Sequence, residues 1–245
     1  MAIKTAIVTG GGRGIGLAIT NKLRQHNYHV YIVDLSFDNP EEDLKNNTKD
    51  FTFIKCDITK SDEINEVFKT LKLNHQQLDL LVNNAGIIRD NMIWKMPEED
   101  FDNVIQVNLK GTWLMCKEAS KIMKEQKFGR MVNIASRAWL GNRGQTNYAA
   151  SKAGVISLTR VLALELGKYN IFVNAVAPGL IDTALSRGLE PNVLQSLIEA
   201  QPSKTIGKPE DVAKAVYFLG SNESDFITGQ VLYVDGGKSI GSNFI

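Results

Sequence analysis

Residues 4–16 read KTAIVTGGGRGIG, a short apolar run that leads directly into a glycine-rich turn. The run is typical of a buried β-strand, and residues 13–25 after it are typical of a helix. Glycines let the backbone turn sharply and approach a pyrophosphate, while the helix start offers free N–H groups and partial positive charge. A plain turn is the alternative for an isolated glycine cluster, but the position between strand and helix favours dinucleotide binding. The predicted contacts are Gly10, Gly12, Arg13, Gly14, Ile15 and Gly16, with the spacing GxxxGxG rather than GxGxxG.

The same alternation of short apolar runs and helical stretches continues along the whole chain. The predicted strands are 5–8, 30–33, 51–54, 78–82, 131–134, 172–176 and 231–234. The predicted helices are 13–25, 61–73, 98–124, 148–167 and 209–219, with 98–124 divided into two near Asn108. Runs that are apolar on both faces are typical of parallel strands covered by helices. The sequence therefore predicts an α/β, doubly wound Rossmann fold with a seven-stranded parallel sheet, as a single domain over residues 1–245. The longest segment without a clear strand, 178–208, is predicted to be a mobile substrate lid.

Composition narrows the function classes. The chain has 245 residues, 43% of them hydrophobic, and a formal net charge of +1. This balance gives no support to nucleic-acid or membrane binding driven by bulk charge. Cys56 and Cys116 form no CxxC pair, so they are expected to be buried free thiols, with neither a disulfide framework nor a metal site. With no signal peptide and no run of about 18 apolar residues, the predicted location is cytoplasmic.

A carboxylate at the end of the second predicted strand bears on the choice of dinucleotide. Asp34 follows the glycines by about 20 residues, the spacing at which an acidic side chain binds the adenosine ribose hydroxyls. The same carboxylate would repel a 2′-phosphate, which favours NAD(H). Arg13 in the glycine-rich turn is able to pair with a 2′-phosphate, so NADP(H) stays open as the alternative.

Tyr148 and Lys152 are the candidate proton-transfer pair. They stand four residues apart on a predicted helix, which places them on one face. A nearby ammonium favours the phenolate, so it lowers the pKa of a tyrosine. An isolated YxxxK pattern is more often a surface pair, but Ser136 lies after a strand twelve residues upstream, where its hydroxyl can hold a substrate oxygen. Asn108 lies within a predicted helix, an unfavourable place for asparagine unless it has a task.

Together these motifs resemble the short-chain dehydrogenase/reductase family over the whole length of the chain. The matching motifs are 9–16, Asn83-Asn84-Ala85-Gly86, Asn108, Ser136, Tyr148-x-x-x-Lys152 and Pro178-Gly179. The resemblance implies a catalytic tetrad in which Tyr148 is the general acid/base, Ser136 polarises the carbonyl, and Lys152 lowers the tyrosine pKa and holds the nicotinamide ribose. Asn108 would anchor a water of a proton relay. The resemblance also implies cofactor contacts at Asp57, Ile58, Asn84, Ala85, Gly86, Pro178, Gly179, Ile181 and Thr183, and a homotetramer.

Within that family the sequence is most similar to the 3-oxoacyl-ACP reductase branch, notably in 83–92, 144–148 and 227–237. This similarity implies reduction of a 3-oxoacyl thioester carried by ACP or CoA. Three features depart from the branch: Asp34 favours NAD(H), the arginines that grip the carrier protein appear as Lys127 and Tyr169, and the spacing from Ser136 to Tyr148 is one residue short.

Trp139 leaves a further choice open, because its side chain is expected either near the substrate pocket or in loop packing. A bulky residue at the pocket resembles NAD-dependent dehydrogenases of small hydrophobic or cyclic secondary alcohols. That activity is therefore the alternative function. A non-catalytic dinucleotide-sensing protein on the same fold is the alternative from another class.

Overall fold

The protein forms one seven-stranded sheet in the computed structural model, which describes residues 3–36, 50–75 and 77–240. Residues 1–2, 37–49, 76 and 241–245 of the predicted domain lie outside the described residues. The strands are β1 (Lys4–Thr9), β2 (Tyr28–Asp34), β3 (Phe51–Lys55), β4 (Leu80–Asn83), β5 (Gly129–Ile134), β6 (Ile171–Pro178) and β7 (Val231–Val234). Their order is β3-β2-β1-β4-β5-β6-β7, and every neighbouring pair is parallel. The predicted doubly wound fold is confirmed.

Helices connect the strands and cover both faces of the sheet. They are α1 (Gly14–Arg24), α2 (Ser61–Asn74), α3 (Glu98–Ile105), α4 (Thr112–Gln126), α5 (Thr146–Leu166), α6 (Ala184–Arg187), α7 (Pro191–Glu199) and α8 (Pro209–Gly220). The predicted helix over 98–124 is divided, as expected near Asn108, but by a π-helical turn, Gln106–Gly111, rather than by a loop. Two short helices, α6 and α7, lie in the segment 178–208, for which the sequence predicts no clear strand.

The core has two layers because alternate residues of each strand point to opposite faces of the sheet. Ile7, Leu81 and Met131 pack with residues of α2, α4 and α5 on one face. Val8 and Val82 pack with residues of α1 and α8 on the other. Burial on both faces explains why these strands are continuous apolar runs.

The sheet changes direction between β1 and β4, since successive strands are added on one side of β1 and then on the other. Ligands of such sheets bind outside the carboxyl ends of the strands at this point. Both cysteines, Cys56 and Cys116, are free and buried. Within residues 3–36, 50–75 and 77–240, no helix has the length and apolar character needed to span a membrane.

Candidate active site

The glycine-rich turn has a backbone that only glycine fits well. Gly10 and Gly14 have φ angles of +62° and +53°, in the left-handed region that favours glycine. Gly16 is constrained by space instead, because a Cβ there would lie 1.9 Å from the carbonyl oxygen of Gly10. Since real contacts of that length do not occur, residue 16 must be glycine for α1 to start directly behind the turn.

Asn84 and Ala85, which directly follow β4, are hydrogen-bonded to this turn. The side-chain nitrogen of Asn84 donates to the carbonyl oxygens of Thr9 and Gly10, at 3.0 Å each. The backbone N–H groups of Asn84 and Ala85 both donate to Thr9 Oγ1, at 3.0 Å. The carboxyl ends of β1 and β4 are thus one rigid surface, as the predicted cofactor contacts at Asn84, Ala85 and Gly86 require.

The residues around the turn fit a dinucleotide. No side chain among the described residues caps the start of α1, so its first N–H groups are available to a pyrophosphate. A Cβ at Gly12 would lie 3.6 Å from Asp34 Oδ2, so the carboxylate stands directly beside the turn, where a ribose hydroxyl would donate to it. Asp34 Oδ1 accepts from the backbone N–H of Leu35 at 2.9 Å. Arg13 is exposed and forms no ion pair with the residues that the structure describes.

Asp57 and Ile58, after β3, are less open than the other predicted cofactor contacts. Asp57 Oδ1 accepts from the backbone N–H of Thr59 at 2.9 Å and from its hydroxyl at 2.7 Å. Ile58 is buried in the core and lies against Gly111. Their contact with an adenine stays a prediction.

The segment after β6 returns to the glycine-rich turn. Pro178 is the last residue of β6, and Gly179 packs so closely on Asp235 that a Cβ would lie 2.7 Å from the aspartate Cβ. Ile181 is buried, and Thr183 caps α6 in a capping box with Ser186. The Thr183 methyl carbon lies 4.0 Å from where a Cβ would stand on Gly14. The structure therefore brings Thr183 beside the predicted pyrophosphate site.

Tyr148, Lys152 and Ser136 meet at the carboxyl end of β5. Tyr148 lies in the first turn of α5, and Lys152 follows one turn later, with its Nζ 5.6 Å from the centre of the tyrosine ring. Lys152 is buried and donates a hydrogen bond to the carbonyl oxygen of Ile134, at 2.8 Å. Ser136 lies close enough to the Tyr148 side chain to lower the pKa of that tyrosine, and its Oγ accepts from the backbone N–H of Ala138 at 3.1 Å.

Asn108 lies in the π-helical turn and is fully buried. Its side chain holds the backbone of Ile87 at both ends: Oδ1 accepts from the Ile87 N–H at 2.8 Å, and Nδ2 donates to the Ile87 carbonyl oxygen at 3.0 Å. A Cβ on Gly86 would stand 3.2 Å from Asn108 Oδ1 and 3.5 Å from Lys152 Nζ. The structure thus brings the four predicted catalytic residues together, although the hydrogen bonds of Asn108 are with the Ile87 backbone and the Ser151 hydroxyl rather than with Tyr148 or Ser136. π-Helical turns frequently occur at functional sites.

The environment sets the protonation states of the pair. Burial raises the pKa of Tyr148, the neighbouring Ser136 hydroxyl lowers it, and the charge of Asp90 raises it again, with a net rise. Burial lowers the pKa of Lys152 to about 8. At neutral pH, without cofactor, the tyrosine is therefore a neutral hydroxyl that can donate a proton, and the lysine is close to releasing one.

The buried Lys152 should make the free energy of unfolding depend on pH. Between pH 8 and 9.5 the unfolded chain holds a proton on Lys152 that the native chain has released, so this side chain makes unfolding harder as pH rises. We expect the free energy of unfolding of the wild type to gain up to about 2 kcal/mol over that range relative to Lys152→Met. Urea unfolding of both cofactor-free proteins measures the difference. Burial raises the pKa of the Cys56 and Cys116 thiols to about 12. This lowers the free energy of unfolding as pH rises, but by the same amount in the two proteins, so it does not affect their difference. Parallel pH curves would contradict a neutralised Lys152.

Gln145 and Asn147, which lie near Tyr148, were not predicted as site residues from the sequence. Gln145 is buried and donates from Nε2 to Asp90 Oδ2 at 2.8 Å. The backbone N–H of Asn91 donates to the carbonyl oxygen of Gly144 at 2.9 Å, and Asn147 Nδ2 donates to the carbonyl oxygen of Arg89 at 2.9 Å. The segment 89–91 therefore holds the start of α5, and with it Tyr148. Nothing in the residue types alone signals this pairing across 55 residues.

The Trp139 side chain packs against other parts of the protein. Its indole N–H donates to the hydroxyl of Tyr233 on β7, at 2.7 Å. The ring packs against a cluster of small buried residues that includes Ala135, Val155 and Ala177. These contacts favour the loop-packing interpretation over a direct place in the substrate pocket.

Sequence comparison identifies known proteins that are similar to this chain over almost its whole length. A family model described as enoyl-(acyl carrier protein) reductase matches residues 10–239. The chain is 40% identical to the 3-oxoacyl-[acyl-carrier-protein] reductase FabG of Chlamydia muridarum, covering 96% of this chain and 97% of that protein. It is 39% identical to the (2S)-[(R)-hydroxy(phenyl)methyl]succinyl-CoA dehydrogenase subunit BbsD of Thauera aromatica, covering 97% of each chain.

Solved structures agree over almost the whole chain. A putative gluconate dehydrogenase from Agrobacterium tumefaciens superposes with a TM-score of 0.92 at 31% identity, covering 98% of this chain and 97% of that one. ElxO with NADP bound superposes with a TM-score of 0.90 at 32% identity, covering 97% and 99%. With a family model that matches residues 10–239 and relatives about 40% identical over nearly their full length, this chain belongs to the short-chain dehydrogenase/reductase family.

Proposed function

We propose that this chain reduces the ketone of a 3-oxoacyl thioester to a secondary alcohol, with NADH as the preferred electron donor. As a family member it is an NAD(P)-dependent oxidoreductase that acts on CH–OH groups. The observation that carries the proposal is that Ser136 lies close enough to Tyr148 to lower the tyrosine pKa, with Lys152 Nζ 5.6 Å from the tyrosine ring. This arrangement stands where β5 ends, on the same edge of the sheet as the glycine-rich turn.

The roles of the residues follow from their chemistry. The nicotinamide, when bound, supplies a hydride to the carbonyl carbon. The Ser136 hydroxyl donates a hydrogen bond to the carbonyl oxygen, and Tyr148 transfers its proton to that oxygen, so the product is a neutral alcohol. The Lys152 ammonium stabilises the phenolate that remains and holds the nicotinamide ribose. Asn108 holds residue 87 and anchors the water that returns a proton to the site.

The acyl-thioester substrate is supported by the relatives and by a basic surface. FabG of Chlamydia muridarum is named for an ACP thioester, and BbsD for a CoA thioester. Tyr169 stands where the branch has an arginine, but the ammonium groups of Lys124 and Lys168 each lie 5.2 Å from the centre of its ring. Together with Lys127, these lysines supply positive charge for an acidic carrier at the same place.

The substrate class is tested by parallel assays with NADH. We expect kcat/KM for acetoacetyl-CoA to exceed that for cyclohexanone by at least about tenfold, because contacts with the thioester arm supply binding energy. Crotonyl-CoA tests the enoyl reduction for which the family model is named. Preference for cyclohexanone would favour the cyclic-alcohol dehydrogenase, and preference for crotonyl-CoA would favour an enoyl reductase. A chain that binds NADH but reduces none of the three would favour the dinucleotide-sensing alternative.

The preference for NADH rests on Asp34, which stands beside Gly12 with one carboxylate oxygen directed at the turn. We expect Asp34→Ala to lower kcat/KM for NADH by about 10- to 100-fold, since charged hydrogen bonds to both ribose hydroxyls are lost. NADPH activity should not fall, because the repulsion of its 2′-phosphate is lost as well. Asp57→Ala is the matched control at the end of the next strand and should affect both cofactors equally. An unchanged NADH/NADPH ratio in Asp34→Ala would contradict the assignment.

The assembly that we propose is a homotetramer. On the outward faces of α4 and α5, Trp113, Val161 and Leu164 are exposed, the last at 85%. Helix faces of this kind gain stability when a second copy covers them. Sedimentation equilibrium measures the state, and a monomer would contradict it. A single domain, a cytoplasmic location and a mobile lid over 178–208 stay predictions.

A further inference from the structure

The catalytic segment has an unusual charge pattern. Residues 128–164 contain no aspartate or glutamate and five basic residues, Arg130, Arg137, Arg143, Lys152 and Arg160. Asp225 pairs with Arg130, and Lys152 belongs to the catalytic pair. Positive charge without acidic partners attracts anionic ligands.

Arg137 is the basic residue next to Ser136 in the chain. It directly follows Ser136, so the two Cα atoms are about 3.8 Å apart. Its side chain is only partly exposed, and its Nε is buried without a hydrogen-bond partner, while the other two guanidinium nitrogens keep contact with solvent. It forms no ion pair or hydrogen bond with any residue that the structure describes.

The lack of a partner is costly for a half-buried guanidinium. Buried charged groups are normally paired, because desolvation without a partner destabilises the native state. The acidic residue whose charge acts on Tyr148 is Asp90, and its carboxylate already accepts a hydrogen bond from Gln145 at 2.8 Å. The protein thus keeps an uncompensated arginine one residue from the serine that holds the substrate oxygen. Departures from normal pairing of this kind are expected at functional sites.

We infer that Arg137 forms a carboxylate subsite beside Ser136 and Tyr148, so that the preferred substrates are 3-oxoacyl thioesters whose acyl chain ends in a carboxylate. Arginine suits this role because its planar fork binds a carboxylate through two parallel hydrogen bonds. The inference rests on the proposed function, since it names the substrate class of the same site.

A matched pair of substrates tests the subsite. 3-Oxoadipyl-CoA and 3-oxohexanoyl-CoA have acyl chains of equal length and differ at the end, a carboxylate in one and a methyl group in the other. The measured quantity is the ratio of their kcat/KM values. We expect Arg137→Met to lower this ratio by about 10- to 100-fold, the loss of a charge-assisted hydrogen bond. Arg137→Gln should give the same change, which covers the case in which one variant does not fold.

Arg143→Met is the matched control, because Arg143 is an exposed arginine in the same segment that also lacks an ion pair among the described residues. Its ratio should equal that of the wild type. A ratio that is unchanged in both Arg137 variants, or that falls equally in Arg143→Met, would overturn the subsite. Arg137→Lys keeps the charge and should lose less of the ratio than Arg137→Met.

A binding measurement separates the subsite from the proposed function. Glutarate is titrated into the NADH complexes of the wild type and Arg137→Met, and the fluorescence of NADH reports binding. If neither thioester is reduced, the proposed function fails, and this titration decides the subsite alone. Binding that weakens by about tenfold or more in Arg137→Met supports it, and equal binding overturns it.

Discussion

Tyr148→Phe should lower kcat for ketone reduction by about 10²–10⁴-fold and change the Kd of NADH by less than about threefold. The substitution removes only the hydroxyl, whose pKa the neighbouring Ser136 lowers, and leaves the ring beside Lys152 Nζ in place. Steady-state kinetics and a fluorescence titration with NADH give the two quantities.

Tyr233→Phe is the control, because it removes a tyrosine hydroxyl that accepts from Trp139 and takes no part in the proposed proton transfer. Its kcat should stay within about threefold of the wild type, the range expected for loss of one structural hydrogen bond. Near-normal turnover in Tyr148→Phe would remove Tyr148 from its assigned role. Loss of NADH binding in that variant would point to a structural effect instead.

Gly16→Ala should weaken cofactor binding and destabilise the protein. The added Cβ would stand 1.9 Å from the carbonyl oxygen of Gly10 and 2.6 Å from Asn84 Nδ2, so the turn and the end of β4 must both move. We expect the free energy of unfolding to fall by about 3 kcal/mol, the upper part of the range for overpacked sites, and the Kd of NADH to rise by at least about tenfold. Urea unfolding and the NADH titration measure both.

Gly12→Ala is the matched control for stability. Its nearest obstacle is Asp34 Oδ2 at 3.6 Å, an ordinary contact distance, and its φ angle is not in the left-handed region. The free energy of unfolding should therefore change by less than about 1 kcal/mol. Equal stability of the two variants would show that the turn is not held as tightly as the packing of Gly16 indicates.

Much of the fold follows from the sequence because its signals are local. The apolar run of β1, the glycines and α1 are contiguous, and the predicted helix 61–73 differs from α2 by one residue at its end. The division of the helix near Asn108 was also predicted. Its form was not, because a π-helical turn keeps the helical periodicity that the sequence pattern shows. Helix α6 is only four residues long, and α7, although its sequence is amphipathic, is too short for its pattern to stand out and buries none of its residues.

Part of the candidate site could likewise be predicted from local sequence signals, and part could not. Tyr148 and Lys152 could be paired from their helical spacing, and Ser136 from its place after a strand. The contacts of Asp90 with Gln145 and of Trp139 with Tyr233 join segments 55 and 94 residues apart, and only the fold brings them together. The isolation of Arg137 is equally invisible in sequence, since it depends on which acidic side chains lie near it in space.

Transfer of deuterium tests the central claim most directly. The wild type and Tyr148→Phe are each incubated with acetoacetyl-CoA and NADH that carries deuterium at both C4 positions, and the thioesters are analysed by mass spectrometry. For the wild type we expect 3-hydroxybutyryl-CoA with one deuterium at C3, and for Tyr148→Phe about 10²–10⁴-fold less of it in the same time. Unchanged acetoacetyl-CoA with the wild type, or equal deuterated product from both proteins, would contradict a ketone reduction that depends on Tyr148.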